Sequence, residues 1–163
     1  MLIGEAAQER AVSGWSWVGS PMEVLRPHCT EAVSAVLRLC NEACQPVTPW
    51  GGKTGLVHGI FSDGTLALSL ERMDRIEEVD PLGKTLAAEA GCILQTATEA
   101  AEAHDLLLPL DLGARGSVSA EHGIGFEKRD YLPRSRSQNE VALMRLLKST
   151  LDPNNILNPG KVL

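Results

Sequence analysis

The chain has 163 residues, a net charge of −6, 44% apolar and 22% charged residues, and only 4% aromatics. That balance suits one soluble domain with a core of Leu, Val, Ile and Ala, and its acidity argues against a nucleic-acid binder, which needs a basic face. No apolar run approaches the ~18 residues of a membrane span, and the charged start (Glu5, Glu9, Arg10) is unlike a signal or transit peptide.

Residues 1–20 read as irregular, with Trp15 and Trp17 bracketing Ser16. Alternation predicts a short strand at 23–26. Thr30 has the chemistry of an N-cap, Glu31 suits the positive end of the helix dipole, and Val33, Val36, Leu37, Cys40 and Cys44 recur at helical spacing until Pro46 intervenes. Residues 46–49 read as a short buried strand, which leads into Gly51-Gly52-Lys53-Thr54-Gly55. Strands are expected at 65–70, 75–79 and 85–90, the last two joined by a turn at 80–83; a helix follows at 93–104 and an extended run at 106–110.

After Gly116 the texture changes. Residues 117–120 read as extended, 121–125 as a turn, and 126–137 as polar and basic. An amphipathic helix at 138–151 is expected to hold Val141, Leu143, Met144, Leu146 and Leu147 inside, before a tail rich in proline and asparagine. The class is α+β. Cys29, Cys40, Cys44 and Cys92 form no Cys-x-x-Cys pair and read as thiols of a reducing, cytoplasmic compartment.

The glycine run carries the first chemistry. Glycines let a backbone approach a ligand closely, and successive N–H groups form a nest for a pyrophosphate; Thr54 adds a hydroxyl and Lys53 a positive charge. The run is not a Walker A loop, because the glycine required five positions before Gly52 is Val47. Nor is it Gly-x-Gly-x-x-Gly opening a helix. On its own the run is equally a plain glycine-rich turn.

Pro49-Trp50-Gly51-Gly52-Lys53-Thr54-Gly55-Leu56-Val57 resembles the pyrophosphate loop of the vanillyl-alcohol-oxidase/PCMH flavoproteins, nearest the D-2-hydroxyglutarate and D-lactate dehydrogenase branch. The likeness extends through Arg26-Pro27, Thr30–Val33, Ala90-Gly91-Cys92 and Leu108–Ser117. It departs at Trp50 (small and polar in the family), Lys53 (Asn) and His58 (Gly); Lys53 suits a pyrophosphate, whereas Trp50 and His58 crowd the loop. The resemblance implies FAD, held non-covalently because His58 matches no flavin-linking position. It implies cofactor contacts from Gly51, Gly52, Lys53, Thr54, Gly55, Leu56, Asp111, Ser117 and Asn158.

Ser119-Ala120-Glu121-His122-Gly123 and 151–161 resemble the C-terminal signature of the same family. There the glutamate ligates a zinc-like divalent metal and the histidine takes the hydroxyl proton while hydride leaves Cα for the flavin. The resemblance thus implies Glu121 as a metal ligand and His122 as the catalytic base, a role an imidazole fills near neutral pH. It implies a small 2-hydroxy acid as substrate and an electron-transfer flavoprotein, quinone or cytochrome as acceptor.

The family's second flavin-binding segment and its cap domain, with two further metal ligands, find no counterpart between Gly116 and Ser119. The expected layout is an irregular segment (1–20), the first half of a PCMH-type FAD-binding domain (21–116; a small parallel or mixed sheet with two helices), and a C-terminal remnant (117–163). His28, His58 and His104 are not spaced to replace the lost metal ligands. An internally shortened sheet is expected to expose an edge and to favour a homo-oligomer. Three readings follow: an impaired FAD-dependent dehydrogenase, a non-catalytic flavin or nucleotide module, or a subunit completed by another chain.

Overall fold

A computed structural model describes residues 1–14, 17–55, 57–108, 124–161 and 163. Its centre is a sheet of β1 (Leu2–Ile3), β2 (Glu23–Leu25), β4 (Leu66–Ser69) and β3 (Val47–Trp50), in that spatial order. β2, β4 and β3 run parallel, and β1 is antiparallel to β2. Parallel strands are covered on both faces, and side chains alternate accordingly. Val24, Trp50 and Ala67 join Ala7 and Val18 on one face; Val47 and Leu68 join Cys40 and Ile156 on the other. The first face is covered by α1 (Glu5–Arg10), the second by α2 (Thr30–Glu42), whose Val33, Val36 and Leu37 complete the packing.

A hairpin of β5 (Ile76–Asp80) and β6 (Thr85–Ala88) forms a second sheet against α3 (Leu94–Glu102), which buries Ala97 and Ala101. Residues 125–135 make short helical turns: α4 (Gly125–Lys128), a 3-10 turn (Arg129–Tyr131) and α5 (Leu132–Ser135). α6 (Gln138–Leu151) follows. The tail then returns to the main sheet: Val47 N–H donates to Ile156 O (2.7 Å) and Asn158 N–H to Val47 O (3.0 Å). Pro49 fits this position in β3, because among the described residues only Val47 makes ladder bonds on that outer side.

Several expectations change. The segment 1–14 is not irregular throughout but supplies β1 and α1. The N-cap of α2 is the extended Cys29, not Thr30, which already lies inside the helix. Cys44 is off the helix, exposed and left-handed (φ 50°), because α2 ends at Glu42. Of the extended run expected at 106–110, residues 106–108 carry no regular element and 109–110 lie outside the described residues. On α6 only Val141 is buried, whereas Leu143, Leu146 and Leu147 are half exposed or more. Periodicity identifies an apolar face; it does not supply a partner to cover it.

Candidate functional site

In open parallel sheets, ligands sit beyond the carboxyl ends of the strands. Here that edge gathers the ends of β2, β3 and β4 and the glycine loop, which is the crossover from β3 to the adjacent parallel β4. Trp50 closes β3 and does not crowd the loop: it is 1% exposed within the Ala7–Val24–Ala67 cluster, and its Nε1 donates to Ile60 O (3.0 Å) and Ser62 Oγ (2.8 Å).

Gly51, Gly52 and Gly55 are exposed, none has a positive φ, and among the described residues a Cβ at Gly51 or Gly55 would meet nothing within 4 Å. At Gly52 it would reach only Thr54 Cγ2, at an ordinary 3.9 Å. Packing among the described residues therefore does not require glycine there. The contrast lies elsewhere in the chain: a Cβ at Gly91 would fall 2.0 Å from Leu70 O, and one at Gly125 2.1 Å from Val57 O. The left-handed positions in this loop are instead Lys53 (φ 56°) and His58 (φ 53°), a conformation that favours glycine.

Lys53 Nζ donates to Arg10 O (2.7 Å), and Ser13 Oγ donates to Lys53 O (2.7 Å), so the N-terminal segment clasps the loop. Burial lowers the Lys53 pKa; the Arg10 charge adds to this and Glu71 opposes it. Glu71 pairs through Oε1 with Arg26 Nε and through Oε2 with Arg10 Nη1 (3.4 Å). Arg72 Nη1 donates to Arg26 O (3.3 Å). A net-acidic chain thus gathers Arg10, Arg26, Lys53 and Arg72 at this edge, the first two paired with the Glu71 carboxylate. Sequence reasoning singled out Lys53 alone, because these cations come from four separate segments.

The return of the loop is held from the far end of the chain. Lys161 is 4% exposed, and its Nζ lies 3.2 Å from Thr48 Oγ1, 2.9 Å from Gly59 O, 2.7 Å from Phe61 O and 2.9 Å from Asn158 Oδ1. Burial pushes its pKa down to about 8. Asn158 therefore sits on the tail beside β3 with its amide oxygen on Lys161. His58 Nδ1 accepts from Trp17 N–H (3.0 Å).

A family model described as an FAD binding domain matches residues 21–123. The chain belongs to the FAD binding domain family. A second model, FAD linked oxidases, C-terminal domain, matches residues 87–162, so the two overlap within this short chain. Similar curated proteins include the mitochondrial D-2-hydroxyglutarate dehydrogenase of Danio rerio, 43% identical over 102 residues, 61% of this chain and 19% of that one. The D-2-hydroxyglutarate dehydrogenase of Xanthomonas citri pv. viticola is 38% identical over 104 residues, 63% of this chain and 22% of that one. The chain therefore spans about a fifth of the length of these relatives. Among solved structures, 6-hydroxy-D-nicotine oxidase from Arthrobacter nicotinovorans aligns with TM-score 0.56 at 15% identity, over 76% of this chain and 26% of that one. p-Cresol methylhydroxylase aligns with TM-score 0.50 at 16% identity, over 75% and 24%. The fold is that of a PCMH-type FAD-binding domain.

Leu56 of the glycine loop lies outside the described residues. Asp111, Ser117, Glu121 and His122 also lie outside them. Among the described residues no group of three or more His, Cys, Asp and Glu side chains is placed to hold a metal ion, and no helix is long and apolar enough to cross a membrane.

Proposed function

We propose that this chain binds FAD non-covalently, with the pyrophosphate on the backbone of residues 51–55 and the charge of Lys53 beside it. The observation that carries this reading is the set of glycines that packing among the described residues does not require: Gly51, Gly52 and Gly55 leave open a surface that a Cβ would begin to fill. His58, with Nδ1 engaged by the Trp17 amide, supports a flavin held without a covalent link. Bound flavin supplies the hydride acceptor for oxidising a D-2-hydroxy acid such as D-2-hydroxyglutarate or D-lactate. In that reaction His122 takes the hydroxyl proton and Glu121 is one ligand of a divalent metal. A catalytic metal needs about three protein ligands. We therefore assign turnover to an assembly in which another chain supplies the rest of the metal site, with an electron-transfer flavoprotein or quinone as acceptor. The four free thiols favour a reducing compartment such as the cytoplasm.

Titration of the purified chain with FAD, followed by flavin fluorescence, tests the binding. Gly52→Val is expected to abolish binding while leaving the melting temperature unchanged; equal affinity in the variant would remove the loop from the site. Addition of D-2-hydroxyglutarate or D-lactate then separates two readings. Bleaching of bound flavin identifies a self-sufficient dehydrogenase. Bound flavin that no acid reduces identifies a flavin-binding unit that depends on its partner.

A further inference from the structure

The carbonyls of Gly59, Ile60 and Phe61 are consecutive, and each accepts from a long side chain. Lys161 Nζ donates to the first and third, Trp50 Nε1 to the second. These residues belong to the same connection between β3 and β4 as the glycine loop, and they form its return. Packing among the described residues does not fix the glycine end at Gly51, Gly52 and Gly55. Beyond the clasp at Lys53, the shape of that end is set by where the connection leaves β3 and where it is held on its return. The Lys161 ammonium suits the holding by number. It carries three N–H donors. Three carbonyl-type oxygens lie within 2.9 Å of it, on Gly59, Phe61 and the Asn158 side chain, and Thr48 Oγ1 lies farther off at 3.2 Å. A neutral amine has only two N–H groups and would release one of the three. The charged and titratable neighbours are engaged elsewhere: His58 Nδ1 accepts from Trp17 N–H, Asp63 Oδ1 accepts from Ser20 N–H, and Arg129 Nη1 donates to Gly160 O. From α4, Lys161 faces the uncharged ring of Phe126, at 5.9 Å.

We propose that Lys161 is a positioning residue for the cofactor: its charged ammonium joins the tail to the return of the crossover and so presets the glycine loop for the diphosphate of FAD. A loop held in place beforehand loses less freedom on binding than one that its ligand must order. The effect reaches the loop through Gly59 and Phe61, so it depends on the proton of Lys161, which burial makes easier to lose. This inference rests on the FAD reading and adds to it a residue that acts from the far end of the chain.

The test measures FAD affinity of the full chain by flavin fluorescence from about pH 7 to about pH 9.5, a range that crosses the loss of the Lys161 proton at about 8. The wild type is expected to bind about tenfold more weakly at the upper end than at the lower. Lys161→Met should bind about tenfold more weakly at neutral pH and lose nothing further across the range. Lys53→Met removes the other lysine of this connection, whose pKa is also lowered by burial. It should bind more weakly throughout and keep the wild-type fall. Circular dichroism verifies that each variant is folded. Wild-type affinity in Lys161→Met, a fall that persists in it, or a fall that disappears in Lys53→Met overturns the proposal. Should Lys161→Met not fold, the other two profiles decide: the same fall in the wild type and Lys53→Met supports the assignment, and a flat wild-type profile or a fall lost in Lys53→Met rejects it. The flavin reading is scored separately. FAD bound with a flat wild-type profile retains that reading and rejects Lys161, whereas no FAD bound at any pH rejects both.

Discussion

Trp50 and Lys161 have roles opposite to those their residue types announce. Trp50 departs from a small polar residue of the family loop and reads as an obstruction there; it serves as the largest fully buried side chain of the sheet. Trp50→Ala is expected to cost about 3–5 kcal/mol of stability by cavity formation and loss of packing, read as a lower denaturation midpoint. Lys161 is of a type rarely buried, and nothing in Asn158-Pro159-Gly160-Lys161 announces that its ammonium lies among four oxygens with no carboxylate. Its pKa in the folded chain is about 8, against an ordinary 10.5. The unfolded chain therefore binds more protons between those values, and this group makes stability rise with pH across that window. Lys161→Met, which removes the titration, should flatten that part of the stability profile, measured by chemical denaturation from pH 7 to 10.5 against the wild type.

At the scale of elements, α6 was the most legible segment, and its bounds match the periodicity. The cause is local: Ser137 Oγ accepts from Glu140 N–H (3.3 Å), and Glu140 Oε2 accepts from Ser137 N–H (2.8 Å), a reciprocal cap written within four residues. Ser137→Ala is expected to cost about 1 kcal/mol, seen as earlier loss of helical signal on heating. What periodicity did not reveal was coverage, since Leu143, Leu146, Leu147 and Leu151 remain exposed. β1 and α1 were missed for a related reason: each is too short to establish a period, and β1 exists only because β2 offers an edge. The glycine loop was legible as a motif. The arginines beside it were not, because they converge from the ends of α1, β2 and β4 through topology alone.

Across the whole molecule, the expected exposed sheet edge is blunted on both sides. β1 lies against β2, and the tail bridges to β3 at Val47. Asp152 holds that tail in place: its carboxylate accepts from Ile156 N–H and Leu157 N–H (2.9 Å each) and from Lys148 Nζ. Burial tends to raise the Asp152 pKa, but Lys148 and these two amides outweigh it and keep the carboxyl below its ordinary value.

The bridge between Val47 and Leu157 also governs when the sheet can be finished. Residues a hundred or more positions apart must meet before β3 has its outer neighbour and before Lys161 reaches the carbonyls of Gly59 and Phe61. Such distant closure is slow compared with helix and hairpin formation. During synthesis, the amino-terminal strands and the glycine loop therefore wait with an unfinished edge until residues 156–161 are available. The segment proposed to hold the cofactor is among the last to be locked.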